Sequence, residues 1–175
     1  MSAGVLDGAT HVTLERLRFD QVDGNGVFLS NHAANNSVLE CDFWRTGDTA
    51  VAAVGSTRGM NGTAATYPAH NTIANNHMDT VGVHMKQTSC YFKAQTYANT
   101  ISNNVCHDGP RAGINFNDGF GGGNNITGNV LFNWCRDSGR QVPLEMEAAV
   151  ACGYLIQGGV SPYEWLHCCP PGGVQ

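Results

Sequence analysis

The sequence predicts an all-β chain, a right-handed parallel β-helix (solenoid) of about five coils over residues 1–139, followed by a non-repeat C-terminal tail over 140–175. Three observations predict it. A short pattern of apolar residue, small or polar residue, Asn, then apolar residue recurs along the chain. Polarity is carried by amides and turns, since charged residues make up only 13% while Gly reaches 22 residues, a balance that suits β-rich coils better than helical bundles. Composition then changes at Arg140, which sets the boundary of the repeat.

The copies can be laid side by side. Leu14-Glu15-Arg16-Leu17-Arg18-Phe19 leads to Gly26 and Val27, and Val38-Leu39-Glu40-Cys41-Asp42-Phe43 leads to Gly47 and Val51. Ile73-Ala74-Asn75-Asn76-His77-Met78 leads to Gly82 and Val83, Ile101-Ser102-Asn103-Asn104-Val105 to Gly113 and Ile114, and Ile126-Thr127-Gly128-Asn129-Val130 to Gly139. Ile101 and Ile126, like Phe19 and Phe43, lie about 25 residues apart, the length that three short strands and their bends need at ~3.3 Å per residue. The middle copies are spaced more widely because segments 56–70 and 87–98 are inserted between them. Strands alternate inward apolar and outward polar residues, as in Ile114-Asn115-Phe116-Asn117 and Val83-His84-Met85-Lys86, and Ile73, Ile101 and Ile126 are expected to stack inside. The pairs Asn75/Asn76 and Asn103/Asn104, with Asn129, read as bend residues, because Asn tolerates the left-handed conformation and its amide can bond the coils above and below. The leucine-rich repeat is set aside for want of spaced leucines and a regular period.

The chain is long enough for one domain, and it is expected to act as a monomer. A net charge of −5 with no Lys/Arg cluster argues against a nucleic-acid partner, and the absence of an apolar run of about 18 residues argues against a membrane span. Met1-Ser2-Ala3-Gly4 does not resemble a signal peptide; an extracellular location would follow only if the full-length protein carries one. Seven cysteines, an odd number without CxxC spacing, indicate neither a zinc site nor a full disulfide framework, and mostly free thiols are expected. Sequons occur at Asn35, Asn61 and Asn125, as they do by chance in an Asn-rich chain. In the tail, residues 143–156 could form an apolar helix with Pro143 in its first turn, and Cys168-Cys169-Pro170-Pro171-Gly172-Gly173 cannot continue a strand. The tail is read either as a cap on the open end of the solenoid or as a foreign terminus, contributing little to a site.

The spacing and the Asn-Asn bends resemble the β-helix repeats of the pectin-lyase-like superfamily over roughly residues 10–139. The most specific segment is His107-Asp108-Gly109-Pro110-Arg111-Ala112-Gly113-Ile114-Asn115-Phe116-Asn117-Asp118-Gly119-Phe120-Gly121-Gly122-Gly123-Asn124, followed by the Arg136-Asp137-Ser138-Gly139 element. The resemblance implies a carbohydrate-active protein, of lyase, hydrolase or epimerase type, that acts on or binds a polysaccharide. A non-catalytic β-helix scaffold or polymer-binding surface is the alternative, since fold alone does not decide function.

Aligning Val27, Val51, Val83 and Ile114 as inward positions places Phe28, Ala52, His84 and Asn115 in one outward column and Ser30, Lys86 and Asn117 in the next. The preceding bends bring Arg45, Asp48, Asp79, His107, Asp108, Arg111, Arg136 and Asp137 to the edge of that face. The inserted segments could wall the cleft, with Tyr91, Phe92 and Tyr97 offered for stacking on sugar rings. The Gly-rich run 119–123 would let backbone approach closely. In a lyase, Lys86 or His107 would be the base, Arg111 or Ca²⁺ would neutralise the sugar carboxylate, and Asp108 or Asp118 would orient groups. In a hydrolase the two carboxylates would be Asp108 with Asp118 or Asp137. His84, Asn115 and Asn117 complete the expected sugar-binding set, no residue is assigned to a metal, and an acidic polysaccharide is the favoured partner. The plainer readings are a local turn bond for His107-Asp108 and solvated strand positions for Lys86 and His84.

Overall fold

The apolar columns predicted from the repeat form the interior of a parallel β-solenoid. A computed structural model of the chain describes residues 1–58, 61–117, 121–137, 144–146 and 155–157. Three parallel sheets run the length of the molecule. The first stacks Gly4–Asp7, Val27–Ser30, Val51–Val54, Ser89–Ala94, Ala112–Asn117 and Leu144–Met146. The second stacks Thr13–Glu15, Ser37–Leu39, Thr72–Ala74, Thr100–Ser102, Asn125–Thr127 and Leu155–Gln157. The third stacks Arg18–Asp20, Asp42–Trp44, His77–Asp79, Val105–His107 and Val130–Phe132. Each coil contributes one strand to each sheet in turn, so equivalent side chains lie over one another at the ~4.8 Å spacing of paired strands.

Three side-chain columns fill the interior. Val38, Ile73, Ile101 and Ile126 stack in the second sheet in the predicted register, all buried. Phe19, Phe43, Met78, Cys106 and Leu131 stack in the third, where the Phe19 and Phe43 rings lie parallel with centroids 4.6 Å apart. In the first sheet, Val27, Val51, Tyr91 and Ile114 share the inward register. Cys90 and Cys106 are joined by a disulfide in this core, while Cys41 is a buried thiol.

The corner between second and third sheets is the same tight bend in the five coils whose corner is described. Arg16, Glu40, Asn75, Asn103 and Gly128 occupy it with φ between 51° and 65°, the left-handed region that Asn and Gly tolerate best. At the next position, Asn76, Asn104 and Asn129 form a buried amide ladder. Asn76 Nδ2 donates to Asn104 Oδ1 at 3.0 Å, and Asn104 Nδ2 donates to Asn129 Oδ1 at 2.9 Å and to the Ile73 carbonyl at 3.0 Å. A second ladder, Asn36, Asn71, Asn99 and Asn124, runs along the corner between first and second sheets. Its signal is present in the sequence, an Asn two places before each inward Val38, Ile73, Ile101 and Ile126.

Two expectations are corrected. In the fourth coil the first-sheet strand is Ser89–Ala94, not 83–86: Tyr91 pairs with Val51 and Ile114, and residues 83–86 lie in a loop. Most of segment 87–98, read as an insertion, is therefore the coil itself, and the true insertion is the loop from Thr80 to Thr88. Beyond residue 139, the expected helix over 143–156 is replaced at its described residues by strands: Leu144–Met146 pairs in parallel with Ala112–Asn117, and Leu155–Gln157 with Asn125–Thr127. Parallel pairing thus continues past the expected 139/140 boundary in two sheets, while residues 158–175 of the tail lie outside the described residues. Segment 56–70 is an insertion as expected, carrying the antiparallel pair Ser56–Arg58 and Asn61–Thr66. Among the described residues no helix is long and apolar enough to cross a membrane.

Candidate functional site

The corner between third and first sheets is where successive coils differ. Each third-sheet strand ends in a left-handed residue, Gln21, Arg45, Thr80, Asp108 or Asn133, but the chain then takes paths of different length to the next first-sheet strand. The path from Thr80 to Thr88 is longer than the paths 21–26, 45–50 and 108–111, and it borders a groove of about 310 Å³. Arg45, Lys86, Asp108, Arg136 and Asp137 supply its charge, with residues 80–83, Gly109 and Pro110 as its remaining walls. Lys86 Nζ sits 3.0 Å from Asp137 and donates to the Gly82 carbonyl at 3.2 Å. Arg136 donates to Asp108 at 2.8 Å, and the Asn133 amide donates to the same carboxylate oxygen. Arg45 lies over the Trp44 ring, 5.5 Å from its centroid. Gly109 is required at the groove floor, because a Cβ there would lie 1.8 Å from the Trp134 ring.

The expected site residues are distributed as follows. Lys86 and Asp108 line the groove, and His107 stands beside it with Nδ1 2.7 Å from Asp108 Oδ2. Arg111, expected to meet a sugar carboxylate, is instead buried, with its guanidinium 3.3 Å from Gln87 Oε1. His84 is exposed in a neighbouring hollow, 3.7 Å from Asp23, and does not share a column with Asn115, whose true column is Phe28, Ala52, Phe92 and Asn115. Asn115 is fully buried and Asn117 is half-buried at the strand end. Tyr91 is corrected from a wall aromatic to a core residue, 1% exposed and edge-on to Phe116, and burial pushes its phenol pKa well above the ordinary range. Burial likewise raises the Cys41 thiol, so neither group is poised as a base or nucleophile near neutral pH. Phe92 does face outward, into a shallow hollow of about 170 Å³ shared with Phe28, Ala52, Asp48 and Gln87. Asp118 and residues 119–120 of the Gly-rich run lie outside the described residues.

The outer face of the third sheet holds a constellation that the sequence reading did not assemble. Arg18 bonds Asp42 at 3.2 Å, Asp42 Oδ1 is 2.9 Å from His77 Nδ1, and His77 Nε2 is 3.1 Å from His107 Nε2. His107 is stacked on Phe132 with ring centroids 4.6 Å apart, and Asp79 Oδ1 lies 3.7 Å from its Nδ1. These residues come from successive coils, so their proximity depends on strand register.

Fold and site define a parallel β-solenoid whose variable corner carries a polar groove. A family model described as right handed beta helix region matches residues 5–156, and the chain belongs to that family. The pectin-lyase-like superfamily fits both the match and the architecture. No curated protein and no solved structure is similar enough to the chain to count as a match.

Proposed function

We propose that this protein handles an acidic polysaccharide, seated along the corner between third and first sheets. The observation that carries the reading is the convergence of three cations from three coils, Arg45, Lys86 and Arg136, on one groove in a chain of net charge −5. Coils repeat at ~4.8 Å, close to the length of one pyranose unit, and the three cations come from the second, third and fifth coils, so they can meet carboxylates spaced along a sugar chain. Asp108 and Asp137 hold Arg136 and Lys86 in place until a sugar carboxylate replaces them. The adjoining hollow presents Phe28 and Phe92, which suit the apolar face of a sugar ring. Ca²⁺ fits this groove poorly, because both lining carboxylates are already bonded to cations.

A lyase reading would use Lys86 as base and a hydrolase reading would use Asp108 with Asp137; a binding surface needs neither. Polygalacturonate and a neutral glucan should be compared by calorimetry at low and high salt, with unsaturated and reducing products followed in parallel. Binding to the uronate polymer is expected, weakened by salt, and reduced about threefold to tenfold by each of Lys86→Ala, Arg136→Ala and Arg45→Ala. Equal affinity of wild type and all three variants would refute the site. Unsaturated products, lost with Lys86→Ala, would make it a lyase, reducing ends without unsaturation a hydrolase, and binding without products a scaffold.

A further inference from the structure

The His77–His107 contact on the third sheet lies outside the groove reading and has its own chemistry. Each ring has its Nδ1 at hydrogen-bond distance from a carboxylate, His77 on Asp42 Oδ1 at 2.9 Å and His107 on Asp108 Oδ2 at 2.7 Å. A carboxylate accepts and cannot donate when ionised, so both Nδ1 atoms carry the hydrogen and both Nε2 atoms present lone pairs. Those two Nε2 atoms face each other at 3.1 Å. Two bare lone pairs at that distance repel, so the arrangement calls for a positive centre there, either a proton on one Nε2 that the other accepts or a cation that both share.

Two imidazoles that share a metal ion at Zn–N distances of about 2.0–2.1 Å have their nitrogens on the order of 3.2 Å apart. The carboxylate behind each ring is the outer support that metal-bound histidines ordinarily have, fixing the tautomer and making the imidazole a stronger donor. Each carboxylate is itself held, Asp42 by Arg18 and Asp108 by Arg136 and Asn133. His107 is further fixed by its stack on Phe132. The opposite side of the His107 ring, with Asp79 and Asp108, also offers three possible ligand atoms. That side is disfavoured, because the 2.7 Å Nδ1 to Asp108 spacing is that of a hydrogen bond and Arg136 already neutralises this carboxylate.

We propose that His77 Nε2 and His107 Nε2 bind a borderline divalent transition cation such as Zn²⁺, with Asp42 and Asp108 orienting the rings from behind and solvent completing the coordination. Nitrogen donors on both sides select Zn²⁺, Ni²⁺ or Cu²⁺ over Ca²⁺ and Mg²⁺. The test is titration of the chelator-stripped full-length protein with Zn²⁺, with Ca²⁺ for contrast, and with Co²⁺ to read the ligand type by absorption. One-to-one Zn²⁺ binding is expected, weakened at least tenfold by His77→Gln and by His107→Gln and about tenfold by Asp42→Asn, while Asp79→Asn leaves it unchanged. His77 is half exposed, so its replacement leaves the core intact, and circular dichroism checks each variant. No saturable Zn²⁺ binding, or binding retained in either His variant with a cobalt–thiolate band, would overturn the proposal by assigning any metal to the cysteines. Loss of binding in Asp79→Asn would overturn it too, by moving the ion to the Nδ1 side.

Discussion

Two corners of the same solenoid behave in opposite ways. Between second and third sheets each of the first five coils turns through one left-handed residue, and in the third to fifth the next residue is a buried Asn in a ladder. Between third and first sheets the turn starts from the same left-handed step, but after two matching paths, 21–26 and 45–50, its continuation changes length from coil to coil, and the charged groove forms beside the longer path 80–88. A corner whose polar groups are all satisfied by the coils above and below has no capacity left for a ligand. A corner whose loops differ leaves polar side chains facing solvent, available to one.

The comparison would break most visibly at Asn104. Its amide accepts from the Asn76 backbone and side chain and donates to Ile73 and Asn129, so Asn104→Ala strands several buried groups at once. A loss of about 2–4 kcal/mol is expected in denaturant unfolding. A loss below about 1 kcal/mol would show that the ladder accompanies the fold rather than supporting it. A smaller effect is expected at Gly128, which closes the same bend with φ +65°, and where a Cβ would lie 2.3 Å from Asn103 Oδ1. Gly128→Ala should cost about 1–2 kcal/mol, and Gly128→Asn less, since Asn already occupies the equivalent bend at Asn75 and Asn103. Equal loss for both substitutions would mean that contact, not backbone conformation, limits the site. The smallest change belongs to the other corner. Lys86 and Asp137 are about half exposed, so Lys86→Ala should alter stability by no more than about 0.5 kcal/mol while weakening uronate binding. A melting temperature that fell as far as in Asn104→Ala would make the groove a structural element.

Much of this was legible in the chain because it is local. A strand that alternates apolar and polar residues, and a bend that needs an Asn or Gly, are each specified within a few residues, so the coils, the stacked Ile73, Ile101 and Ile126, and the role of Asn75 and Asn76 could be read directly. Asp108, Arg136 and Asp137 could be placed at one edge because each follows a readable strand, whereas the sequence puts Lys86 in a strand column and it reaches the groove from a loop instead.

What the sequence by itself determined, then, was the repeat, its parallel stacking and the charged residues of its variable corner. Only the tertiary structure decided which run in the fourth coil becomes the strand. Residues 83–86 alternate apolar and polar and 89–94 do not, yet the strand falls to the latter, where Tyr91 fits between Val51 and Ile114 and Cys90 reaches Cys106. That choice buried Tyr91, turned Phe92 outward and separated His84 from Asn115. The tertiary structure likewise decided the meeting of His77 and His107, which are 30 residues apart in the chain. The physical reason is common to both: pairing between coils is a contact over a full turn of chain, and no local pattern contains the register that sets it.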